Sequence, residues 1–460
     1  MFEKFFKWLL GSEMPDAPAA AQAQDNVQGF EKLKHEAPLR TETIANLEAE
    51  KIVTFLCREV VLDRDQRIAG YQFMLQEGAR AHIRNSSRRV HHLYAEVLVR
   101  SLVNANIGEL LGRRIAFIDI PDSFLANICL SSLPAKNVVL TPTLHAEEGA
   151  PDLKNLRSTI DALRAEGFRL CIPDPTIVTE FAPLLPVTDF IFVHAQVLDA
   201  RRGLHLSKII HEVAPNARLL MRDLPSIEEF RFCFRLGANL FQGPFITNRE
   251  DWSEREVGPN TTRVSTIISR LRNDAETHEL AKLLKHDAAL SLRLLRYINS
   301  AANALPQSIS SIEHALTLLG REKLYRWLIL LVCSADAQNE RGSAALETAL
   351  VRGRMMELLG KDRPAEMRET LFLVGLLSLI DVVLQVPLDK ALATLALNPD
   401  IDAALRTGTG PLQPILELAI ACEYNDGERI RQAAERCGIS PEQASECHLQ
   451  ALLWAMQVQD

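Results

Sequence analysis

Between residues 50 and 250, short apolar bursts alternate with longer amphipathic stretches. The bursts read "IVTFLCREVVLD", "IAGYQFML", "RIAFIDI", "NVVLTPT", "FRLCIPD", "DFIFVHA", "RLLMRD" and "NLFQGPF". They are rich in β-branched and aromatic residues, as buried strands are. Between them, "VHHLYAEVLVRSLVNA" and "LKNLRSTIDALRAEG" repeat their apolar residues at the helical period. Strand–helix alternation predicts parallel strands with crossover helices, and about eight strands predicts a (β/α)8-type barrel. An open doubly wound sheet is the second choice, but no Gly-x-Gly-x-x-Gly follows any strand to support it.

At "DWSEREVGPNTT", residues 251–262, the strand pattern stops. Beyond it "TRVSTIISRLRND", "HELAKLLKHD", "AALSLRLLRYINSAAN" and "SIEHALTLLGREKLYRWLILLVCS" are helix-patterned, with breaks at Pro306, Gly320, Gly360 and Pro387. The expected plan is an N-terminal segment and flexible linker over 1–48, a barrel over 49–250, a linker over 251–262 and an all-helical domain over 263–455. The opening "MFEKFFKWLLG" sets Phe2, Phe5, Phe6, Leu9 and Leu10 at helical spacing before Gly11. This is an amphipathic helix suited to weak docking on a membrane surface or a partner, and its apolar run is too broken for a signal peptide.

Composition narrows the classes. A net charge of −8 with no long Lys/Arg run gives no footprint for nucleic-acid binding. The eight cysteines are scattered without paired spacing, which argues against a zinc site and for a reducing cytoplasm. The most apolar stretch, "LFLVGLLSLIDVVLQVPL", is broken by Asp381 and ended by Pro387, so it reads as buried helices rather than a membrane span.

Two stretches of the first region carry a resemblance. "DRDQRIAGYQFML" and "LGANLFQGPFI" resemble the opening and closing segments of EAL domains, the barrel phosphodiesterases of cyclic di-GMP. The resemblance implies two divalent metals held by carboxylates and an amide at strand ends, with a lysine near the attacking water. In this chain the family's signature glutamate is Gln72, the leucine after it Met74 and the motif's arginine Gln76. Its asparagine falls on Asp119, one glutamate near Thr141, its paired aspartates on Pro173 and Asp174, its lysine on Phe192, and a further glutamate on Arg222. Only Asp119 and Asp174 remain as hard oxygen ligands, and Arg222 would repel a cation.

A second candidate is His286-Asp287. Leu280, Leu283 and Leu284 close one helix there, and Leu290, Leu294 and Ile298 face the core in the next. Asp287 is therefore expected to cap that helix. The nearest upstream histidine, His278, does not complete a metal set. Residues 263–455 resemble HDOD domains, non-catalytic relatives of the HD phosphohydrolases: "LLKHDAALSLRLLRYINSAAN" matches the early motif at Asp287, Leu290, Leu294, Asn299 and Ser300. "SIEHALTLLGREKLYRWLILLV" matches the next. Ala288 departs from it, standing where the family has proline. The superfamily's own His-Asp pair falls on Ser378 and Leu379.

The function expected from these substitutions is a non-catalytic cytoplasmic scaffold that works through contacts with other signalling proteins. It has no catalytic, cofactor or metal residues and is not an enzyme. Two other readings stay open: a cyclic di-GMP receptor, and a residual phosphodiesterase. His91-His92 are expected to straddle the solvent boundary of their helix, and the cluster Arg201, Arg202, His205, Lys208 and His211 to be a solvated helix face.

Overall fold

The computed structural model describes residues 56–459 apart from 76–87, 105, 144–152, 300–308, 336–339, 394 and 425–426. The N-terminal amphipathic segment, its linker and Gln76 lie outside the described residues, as do the side chains of Met74 and His91.

Eight strands close a barrel in chain order. They are β1 (Leu56–Asp63), β2 (Ile68–Leu75), β3 (Ile115–Pro121), β4 (Val138–Thr143), β5 (Arg169–Pro173), β6 (Phe190–His194), β7 (Arg218–Arg222) and β8 (Leu240–Gln242). β1 runs antiparallel to both neighbours, β2 and β8, and all other pairs are parallel. Alternate residues point inward, and Val61, Phe117, Val139, Cys171, Phe190, Leu220 and Leu240 fill the interior. The intervening residues, among them Leu62, Ile118, Leu140, Ile172, Ile191 and Met221, form a second cluster outside the barrel wall. That cluster is covered by α1 (Arg88–Asn104), α2 (Ile107–Leu111), α3 (Leu153–Glu166), α4 (Ala200–Val213) and α5 (Ile227–Arg235).

The remaining elements are helical: α6 (Pro259–Arg272), α7 (Thr277–Lys285), α8 (Ala288–Ile298), α9 (Ile312–Ala335), α10 (Glu340–Leu359), α11 (Ala365–Leu377), α12 (Ile380–Leu384), α13 (Leu388–Ala393), α14 (Pro399–Asp402), α15 (Gln413–Glu423), α16 (Gly427–Cys437) and α17 (Pro441–Gln459). α9 is two helices joined at Gly320, whose φ of 74° breaks the helical path. α10 and α11 cross closely, since a Cβ on Gly375 would lie 2.4 Å from the backbone nitrogen of Gly353. Among the described residues, no helix is long and apolar enough to cross a membrane. The sequence reading of an eight-stranded barrel followed by a helical domain matches this architecture.

The helical domain packs on the barrel rather than hanging from it. α17 meets α2 and β1, and α10 meets the turn Pro244–Ile246 that follows β8. Arg341, in the first turn of α10, donates to the carbonyls of Phe245 (2.7 Å) and Asn248 (2.6 Å) and pairs with Glu250. Deeper in the interface, Glu347 has no solvent exposure. It pairs with Arg58 at 2.5 Å and accepts from the Tyr71 hydroxyl at 3.2 Å.

Candidate functional site at the barrel mouth

Ligands of parallel barrels bind at the carboxyl ends of the strands, so the topmost inward layer is the place to look. The strand pleat places Gln72, Asp119, Thr141, Pro173, Phe192, Arg222 and Gln242 on inward positions there, with Glu59 beside Gln72 on the antiparallel β1. Sequence alternation alone thus carries the interior from an apolar floor to a polar rim.

Arg222 is the centre of this layer. It is almost fully buried, and its guanidinium donates to both carboxylate oxygens of Asp119, each at 3.1 Å. Nη2 also donates to Gln72 Oε1 at 2.7 Å, and the charged carbon lies 4.1 Å from the centre of the Phe192 ring. Burial, the largest influence, opposes the charge, but Asp119 by charge and hydrogen bond, together with Cys171 and Asp223, outweighs it, so the guanidinium is held above its ordinary pKa. On the other side, Gln242 Nε2 donates to Glu59. Several polar atoms in or beside the layer are left without a partner: Gln72 Nε2, Arg222 Nε, Gln242 Oε1 and Asp174 Oδ2. Below it the Cys171 thiol is pushed up to about 12, first by burial, and stays a neutral core group.

At the rim, His194 follows Phe192 on the inward face of β6 and pairs through Nδ1 with Asp223. Asp223 sits just past β7 with a φ of 58°, an unusual conformation for a non-glycine residue. Gly243 holds the neighbouring strand end close, for a Cβ there would meet the Leu224 nitrogen at 2.4 Å. A carboxylate on Nδ1 leaves imidazole Nε2 as the proton acceptor.

The residues do not fit a divalent-metal centre. Asp119 is engaged by Arg222, and Asp174 takes the backbone and side chain of Thr176 at 2.8 and 2.7 Å. Thr141, Pro173 and Phe192 supply no anionic oxygen. The Arg222 guanidinium stands where a cation would have to sit and already holds the Asp119 carboxylate that would otherwise ligate it. Among the described residues, no three His, Cys, Asp or Glu side chains converge on one point.

The second candidate motif resolves differently. Asp287 caps α8, its side chain accepting from the Leu290 nitrogen at 3.0 Å, and His286 ends α7. Asn299 exchanges two 2.6 Å hydrogen bonds with the backbone of Ile309. His278 is exposed and pairs with Glu276. At the expected superfamily position, Ser378 Oγ accepts from Arg352 at 3.1 Å while Arg352 forks onto Glu423. Buried Asp381, three residues on, pairs with Arg249 from the barrel side. His92 packs on Phe124 and meets Asn127 at 3.2 Å; Arg201, His205, Lys208 and His211 are exposed on α4.

A closed eight-stranded barrel joined to a helical domain is the class this architecture defines. Residues 259–397 match the HDOD domain family. Along 410 residues, 88% of this chain and 93% of its counterpart, the protein is 22% identical to "Cyclic di-GMP phosphodiesterase CdgJ" of Vibrio cholerae. It is 20% identical over 414 residues to YuxH of Bacillus subtilis, covering 88% of this chain and 99% of that one. A standalone EAL protein from Vibrio cholerae, solved with cyclic di-GMP bound, matches 41% of this chain and 89% of its own at 16% identity and a TM-score of 0.34.

The match to a protein named as a phosphodiesterase, over a length that spans both domains, overturns two expectations drawn from the sequence: that the chain is a non-catalytic scaffold, and that it is not an enzyme. The replaced oxygen ligands do not leave the mouth featureless: Arg222 joins Asp119 and Gln72 in one buried network, and His194 pairs with Asp223 at the rim. Glu59, Gln242, His194 and Asp223 were missed. The signal for His194 was present: it lies two residues beyond Phe192 and so on the same face of β6.

Proposed function

We propose that the protein acts on cyclic di-GMP at the mouth of its barrel, in the manner of the phosphodiesterases that open this dinucleotide. The observation that carries the reading is the match across both domains to the Vibrio cholerae protein of that name. The polar rim supports it. Arg222 and Gln72 present N–H donors suited to a phosphodiester, and His194, oriented by Asp223, is placed to accept a proton from an attacking water. The HDOD domain, packed against β1 and the turn after β8, is then the element through which occupancy reaches other signalling proteins. The scattered thiols support a cytoplasmic setting.

The test is incubation of the full chain with cyclic di-GMP, followed by chromatography of the nucleotides. A linear dinucleotide should accumulate, and His194→Gln should slow its formation by about 10²-fold or more. Unchanged cyclic di-GMP after prolonged incubation, with no binding by titration, would refute the reading.

A further inference from the structure

We propose that Arg222 is a built-in cation at the barrel mouth, so that a phosphodiester is held there without a divalent metal. This rests on the reading of the mouth as a cyclic di-GMP site and specifies how that site meets the phosphate charge. The guanidinium occupies the inward end of β7, fixed by both oxygens of Asp119, by Gln72 and by the Phe192 face. Held on three sides, it is pre-organised, and its charge is expressed without recruiting an ion.

The unmet hydrogen-bonding capacity shows what belongs beside it. Arg222 Nε and Gln72 Nε2 are N–H donors without acceptors, on side chains that are 5% and 0% exposed and joined to each other. Two adjacent buried donors call for an acceptor oxygen rather than a cation. A phosphodiester oxygen supplies one with negative charge; a trapped water supplies one without it. Gln242 Oε1 is an acceptor lacking a donor, suited to the N–H edge of a base.

Calorimetric titration of the full chain with cyclic di-GMP, once in EDTA and once in excess Mn²⁺, tests this, with inorganic phosphate as a third titrant and Mn²⁺ spin resonance to count bound ions. Equal affinity in the two buffers is expected, with no stoichiometric Mn²⁺. Arg222→Gln should weaken binding by about tenfold or more, without rescue by Mn²⁺, and Arg222→Lys should restore part of it. Binding that appears only with Mn²⁺, or a bound ion lost on Asp119→Asn, overturns the inference while leaving the cyclic di-GMP reading intact. Absence of binding in both buffers overturns the two together. The buffer comparison uses the unmodified chain, so it stands even if the variants misfold.

Discussion

Glu347 shows how much a single side chain carries in this protein. Its carboxylate is wholly buried and depends on Arg58 and Tyr71 across the interface. Glu347→Ala would strand the Arg58 charge, and a loss of about 3–5 kcal/mol is expected in denaturant unfolding. Nearby His448 is buried and its pKa is lowered to about 4, first by burial and then by Arg58. Its folded value lies below the unfolded one, so the unfolded chain takes the proton first. Stability from this group is full above pH 6.5 and falls as the pH drops from there to about 4, by up to about 3 kcal/mol. Urea midpoints across that window should decline in the native protein and decline less in His448→Leu. None of this was legible in the sequence. Arg58, Glu347 and His448 lie far apart in the chain, and no local pattern tells a buried charge from a solvated one.

Elements were far easier to read than their partners. Apolar bursts gave the strands because each is buried on both sides, between a filled interior and a helix-covered wall. The cap at Asp287 followed from its place before an apolar stripe. Asp287→Ala should therefore destabilise by about 1 kcal/mol and leave nucleotide turnover unchanged, measured by melting and by the chromatographic assay. The α10–α11 crossing was hidden, since it rests on two glycines with ordinary helical neighbours. Gly375→Ala forces a methyl into the Gly353 backbone. A loss of about 1–3 kcal/mol is expected from overpacking, with Gly375→Ser no better. On β1 and β2 the pleat has a second use. Glu59 and Gln72 face into the barrel while their neighbours Arg58 and Tyr71 face the helical domain. The same two strands thus line the mouth and hold the interface.

At the scale of the molecule, the barrel and the HDOD domain share a buried, ionically locked contact, with Arg341, Arg249 and Arg58 bridging it. The sequence indicated two domains but not their docking, because the bridging residues read as ordinary surface charges until the fold brings their partners close. It indicated the site only in part. Positions 72, 119 and 222 were located by resemblance to EAL domains, while the consequences of changing all of them together depend on geometry. The central claim is that this mouth takes cyclic di-GMP. Its most direct test is the stoichiometry of binding when the full chain is titrated with cyclic di-GMP in a calorimeter. The account predicts saturable binding of one dinucleotide per chain, weakened when Arg222 or Gln72 is replaced. An absence of saturable binding, or binding indifferent to both substitutions, would contradict it.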